Sequence, residues 1–166
     1  MQIDSKRAIR FSVNGLSASG FGAGSASRLA GLIGAIQQMK FEIEGKAEIT
    51  SPTPRQITRS LQSLRSYGKS SYASLTDARG SYVQVAGGGA SCMIERYEFD
   101  AQRWRAFHDK PSPVRPDGTV LVFGAGNIPM RSDEWFMADQ VAEVFLAFFN
   151  GVPYPSFVHW RPAPGF

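Results

Sequence analysis

The chain of 166 residues holds two histidines, one cysteine and several glycine clusters that could do chemistry. His108-Asp109 pairs a possible general base with a carboxylate. Adjacency in sequence, however, does not put that carboxylate on the ring nitrogen. His159 stands beside Trp160 in an apolar stretch and reads as a packed edge residue. Cys92 opens a strand and reads as buried and inert. It has no partner for an internal disulfide, and Cys92, His108 and His159 are too few to predict a zinc site. No metal or other cofactor is expected. Gly124-Ala125-Gly126 follows a strand, as a dinucleotide-binding turn would. The third glycine of that pattern is replaced by Pro129, and no helix follows directly, so a plain turn is expected. Gly87-Gly88-Gly89 lacks the lysine and hydroxyl residue of a phosphate loop and reads as a hairpin turn. The nucleophile elbow, the zinc-protease helix motif and the zinc-deaminase pattern are all missing, which argues against the commonest hydrolases and deaminases.

Aromatic residues set among charges give a stronger signal. Tyr97 lies between Glu95 and Glu98, Trp104 between Arg103 and Arg105, and Trp135 directly after Asp133-Glu134. Tryptophan, tyrosine and arginine anchor protein interfaces, so these groups are expected to contact a partner. The competing expectation is that each tryptophan closes an edge of the core. Trp160 fits that better, and for Trp135 the two are evenly balanced.

These residues must be positioned by a globular fold. Hydrophobic residues make up 43% of the chain and charged residues 19%, a composition that can bury a core. The length suits one domain of ordinary size. The formal charge of +4 is concentrated at the start. Lys6, Arg7, Arg10, Arg28 and Lys40 face only Asp4 within residues 1–40, and the basic and acidic residues of the remainder balance. A nucleic-acid binder concentrates positive charge on its body, so direct nucleic-acid binding is not expected, unless the basic N-terminus provides it. No apolar run reaches the roughly 20 residues of a spanning helix, and serines and Asn14 interrupt any signal-peptide core. With a single cysteine, this leads to the expectation of a cytoplasmic protein without membrane contact.

Residues 1–40 read as an extension, with a short strand over 8–13, a Gly/Ser-rich loop over 15–27 and a weak helix over 27–38. Met39 could be a second translation start, and residues 41–166 are expected to form the main domain. Phe41, Ile43 and Ile49 mark a strand, with Glu42, Glu44 and Glu48 on its opposite face or in its turn. Thr53-Pro54-Arg55-Gln56 then predicts a capped helix running to Leu64. Strands are expected over 72–76, 82–86, 92–99 and 102–107, with turns at 77–80 and 87–89. Lys110 to Gly118 reads as a loop, and the apolar run Thr119 to Phe123 as a central strand. An extended piece follows around 128–132. Residues 137–149 carry Val141, Val144, Phe145, Phe148 and Phe149 on one face, a helix stopped by Asn150-Gly151. Phe157 to Trp160 closes the chain as a strand. The expectation is an α+β fold: a mainly antiparallel sheet with two packed helices.

From residue 41 onward the pattern resembles bacterial polymorphic-toxin immunity proteins, specifically the first numbered immunity family. The likeness rests on the capped helix Thr53 to Leu64 and on Val83-Gln84-Val85-Ala86-Gly87-Gly88. It continues through Ile94-Glu95-Arg96-Tyr97, Phe123-Gly124 to Ser132 and the helix Ala138 to Phe149. It ends on Gly151-Val152-Pro153-Tyr154-Pro155-Ser156-Phe157-Val158-His159-Trp160. The resemblance implies a non-catalytic protein that binds a toxin domain encoded beside it, often of the deaminase superfamily, and blocks its active site. The partner would be a nucleic-acid deaminase or another nucleic-acid-acting enzyme. On that reading Glu95, Tyr97, Glu98, Trp104, Asp133, Glu134 and Trp135 are the expected toxin contacts. Residues 1–40 match nothing in the family, and the neutral domain departs from the acidity expected of an inhibitor of a basic toxin. The alternative is a small-ligand-binding protein or enzyme using the region from His108 to Gly118.

Overall fold

The computed structural model describes residues 39–99 and 102–164. The strand and helix expected before Met39 lie outside the described residues. The order is β1 (Lys40–Ile43), β2 (Ile49–Thr50), α1 (Pro54–Ser63), β3 (Tyr72–Thr76), β4 (Tyr82–Gly88), β5 (Ser91–Tyr97), β6 (Arg103–Phe107), β7 (Thr119–Phe123), β8 (Gly126–Met130), α2 (Ala138–Asn150) and β9 (His159–Pro162). Seven strands form one sheet in the order β2-β1-β3-β4-β5-β6-β9, with every pairing antiparallel. Among the described residues the fold is α+β with two helices, as the sequence predicts.

Strand alternation sends Phe41, Ile43, Leu75, Val83, Val85, Cys92, Ile94 and Ala106 to one face. There they meet Ile57 and Leu61 of α1 and Val141, Val144 and Phe145 of α2 in one buried cluster. Thr53 caps α1 as its spacing predicts. Its Oγ1 accepts from the Gln56 amide at 3.2 Å, and the Thr53 amide donates to Gln56 Oε1 at 2.8 Å. Gly151 ends α2 in the left-handed conformation, with φ at 64°.

Two expectations change. The run from Thr119 to Phe123 is not a central strand. Among the described residues it pairs only with β8, as a separate two-stranded ribbon. Leu121, Ile128 and Met130 turn inward onto Ala86 and Met93 of the sheet's second face, while Val120 and Val122 stay exposed. Pro129 stands opposite Val120, a position a proline tolerates only in a ribbon or at an edge. The extended piece expected at 128–132 is thus the second strand of this ribbon. The glycine run is not all turn either: β4 continues through Gly88, and only Gly89 and Ala90 link it to β5. A Cβ on Gly88 would lie 2.3 Å from the Leu64 carbonyl oxygen, so glycine lets the end of α1 close onto the strand.

Gly124 and Ala125 form the ribbon's turn and Gly126 opens β8, so the segment is not a nucleotide loop. A Cβ on Gly124 would sit 1.9 Å from a Glu44 carboxylate oxygen. The Gly124 amide donates to Ser71 Oγ at 2.6 Å, and that hydroxyl donates to Glu44 at 2.7 Å. This chain of bonds fastens the ribbon tip to the sheet.

Candidate functional site

The seven expected contact residues separate into a buried group and a surface group. Glu95, Glu134 and Trp135 are buried, at 1%, 2% and 8% exposure, which corrects their assignment as surface contacts. The reason is Arg105, opposite Glu95 in the sheet and 1% exposed. Its Nε and Nη2 donate to Glu95 at 2.9 and 2.8 Å, and its Nη1 donates to Glu134 at 3.3 Å. Gln84 Nε2 donates to the other Glu95 oxygen, the Arg131 amide donates to the same Glu134 oxygen as Arg105, and the second Glu134 oxygen lies 3.9 Å from Arg161 Nη1. A buried charge persists only when paired and hydrogen-bonded, and each member here is. Asp133, half-buried, pairs with Arg161, whose guanidinium also lies 3.9 Å from the centre of the Phe107 ring. Trp135 lies under Arg115, 4.6 Å from its ring centre, and packs into the ribbon-side core. The charges beside Trp135 suggested a surface position, but Glu134 turns in to Arg105 and Asp133 pairs with Arg161.

His108 and Asp109 do not form a dyad. His108 Nε2 donates to the Trp135 carbonyl at 3.0 Å, and the ring stacks on Phe136 at 4.0 Å. Asp109 instead lies 3.0 Å from His159 Nε2. The loop after it is fastened by Arg115, which donates to the Ala90 carbonyl and to Ser91 Oγ at 2.9 Å each. Asp117 accepts from the amide and hydroxyl of Ser132, which holds its carboxyl below the ordinary value. That contribution is complete above the ordinary carboxylate value and is lost as pH falls through the depressed one. Among the described residues no group of histidine, cysteine and acidic side chains could hold a metal ion.

Burial pushes the Cys92 thiol up to about 12, so almost no thiolate exists at neutral pH. Native protein is therefore expected to leave Cys92 unmodified by a thiol reagent at pH 8, and urea-unfolded protein to react with one equivalent. Full modification of the folded protein within minutes would contradict its burial at 1% exposure.

Tyr97, Glu98 and Trp104 remain at or near the surface, and the first two border a cavity of about 530 Å³, although the Tyr97 ring lies on the sheet's other face, stacked on Tyr82 at 5.4 Å. The cavity lies between the end of β5, the β3–β4 turn and the C-terminal end of α2. Its apolar wall includes Phe148, Phe149 and Val152, the last 52% exposed. Phe99, 56% exposed, stands at the end of β5. The sequence reading missed Phe99 and Val152 as site residues. Their signal was available only as apolar side chains next to turn residues.

Arg96 anchors this corner. It points to the helix face, where its guanidinium carbon lies 4.7 Å from the Trp160 ring centre, 5.3 Å from that of Tyr154 and 6.0 Å from that of Trp104. Trp104 thus serves the site from behind. Arg96 Nη1 holds Glu98 at 2.8 Å, while Glu98 itself is 57% exposed. Burial raises the Tyr154 phenol above its ordinary value, and Arg96 opposes that. Three rings around one guanidinium give the carboxylate a fixed platform. Chemically, the arrangement offers apolar area, aromatic faces and one presented carboxylate.

No helix among the described residues is long and apolar enough to cross a membrane. Comparison of the chain with protein-family models, with curated proteins and with solved structures gave no match.

Proposed function

We propose that this chain is an immunity protein that binds a cognate bacterial toxin domain in the cytoplasm and inhibits it by covering its active site. It has no catalysis of its own on this reading. The observation that carries the proposal is the groove at the end of β5. There two of the expected contacts, Tyr97 and Glu98, border a cavity of about 530 Å³ together with exposed Phe99 and Val152. Exposed aromatic and aliphatic side chains around a pocket, with a fixed arginine–carboxylate pair at its edge, have the composition of an interface centre. The sequence resemblance from residue 41 onward supplies the partner's class. The lone buried cysteine suits a reducing compartment.

The test is co-expression in a bacterial host with the toxin domain encoded by the adjoining reading frame. Growth is expected to be arrested by the toxin domain alone and restored by the full chain. If the chain neither restores growth nor co-purifies with the toxin domain, the reading is wrong.

A further inference from the structure

The groove's electrostatics go beyond shape, and the inference drawn from them rests on the reading of the groove as a protein-binding site. Glu98 projects from the end of β5 with its carboxylate 57% exposed and held at 2.8 Å by Arg96. Trp160, Tyr154 and Trp104 surround that guanidinium, so the carboxylate is the outward end of the pair. The C-terminal end of α2 lines the same cavity through Phe148, Phe149 and Gly151. That end carries the partial negative charge of the helix; the Gly151 and Val152 amides cap the Phe148 and Ala147 carbonyls, and α2 has no basic residue in its last turn. Aromatic faces between two sources of negative potential favour a cation. Two arginines of the lining oppose this: Arg96, whose charge is taken up by Glu98 and its three rings, and Arg79, 84% exposed on the rim. Arg79 lies 3.8 Å from Asp77 and would compete for Glu98.

We propose that the groove receives an arginine or lysine side chain of the partner protein, with its charge on Glu98 and the end of α2 and its stem along Phe99, Phe148 and Val152. A toxin that acts on nucleic acid presents such side chains around its active site, because phosphate binding requires them. Covering one of them would couple recognition to inhibition. It would also give a domain of neutral overall charge a local means of recognising a basic partner.

The test uses the full chain and three short acetylated, amidated peptides of identical sequence, carrying arginine, citrulline or glutamate at the central position. Binding is followed by NMR shifts of the Phe99 and Val152 amides. The arginine peptide is expected to bind about tenfold more tightly than the citrulline peptide, a typical effect of one charge-assisted contact. Glu98→Gln should abolish that difference, and Arg79→Ala should preserve or increase it. Equal binding of the arginine and citrulline peptides would overturn the inference and leave the groove as an uncharged docking site. Preferential binding of the glutamate peptide, lost in Arg79→Ala, would overturn it in favour of an anion site. Absence of any shift with the arginine peptide also overturns it. Growth rescue by Glu98→Gln at wild-type level would sink the charge inference alone, whereas failure of the unsubstituted chain to rescue removes the underlying reading.

Discussion

Arg105→Met is expected to destabilise the domain by about 3–5 kcal/mol, the cost of leaving buried charges without their partner. The methionine keeps the stem's packing but leaves Glu95 without a cation and Glu134 with only Arg161, at 3.9 Å; the two carboxylates are 1% and 2% exposed. Equilibrium urea unfolding of the two proteins measures the loss. Because the three side chains act as one network, the effects will not add. A variant that also replaces Glu95 and Glu134 by leucine should be less destabilised than Arg105→Met alone. A loss under about 1 kcal/mol in the single variant would mean that these carboxylates find water or protonate at little cost.

Phe145→Ala should cost a similar amount, roughly 3–5 kcal/mol, from lost transfer energy and the cavity left behind. Phe145 is completely buried, and its ring meets Phe41 edge-on at 6.4 Å. It therefore joins α2 to the strand that opens the described domain. In a domain of ordinary stability this loss removes a large fraction of the total. Urea unfolding again reads the effect. An unchanged midpoint would place that ring outside the core.

These two residues show what was legible in the sequence. Phe145 could be placed because helical spacing is local: Val141, Phe145 and Phe149 form one stripe whatever packs on it. The cap at Thr53 and the stop at Gly151 were legible for the same reason. The Arg105 network was not. Alternation along β5 correctly separates Ile94 from Glu95, but it cannot say what covers the second face. That cover comes from β7 and β8, more than twenty residues further along the chain. The ribbon was itself misread, because Thr119 to Phe123 is apolar at most positions and resembles a central strand. Only the pairing of Val120 with Pro129 reveals a ribbon, and pairing is not local information. Glu134 and Trp135 were misplaced for a related reason. The Glu134 amide donates to the Arg131 carbonyl in a tight turn that swings the carboxylate inward to Arg105. The groove was half legible. Tyr97 and Glu98 stood out as an acidic-aromatic pair, whereas Phe99 and Val152 become a site only when the end of α2 is brought beside the end of β5.

The most direct measurement is the affinity of the full chain for the adjoining toxin domain, by calorimetry, with and without Val152→Arg. Val152 is 52% exposed on the groove wall, so the substitution should leave the urea midpoint unchanged while filling the groove with a cation. Truncation of a binding centre typically costs about 2 kcal/mol or more, so binding should weaken by roughly thirtyfold or beyond. Wild-type affinity in a folded Val152→Arg protein would show that the toxin domain is held by another surface.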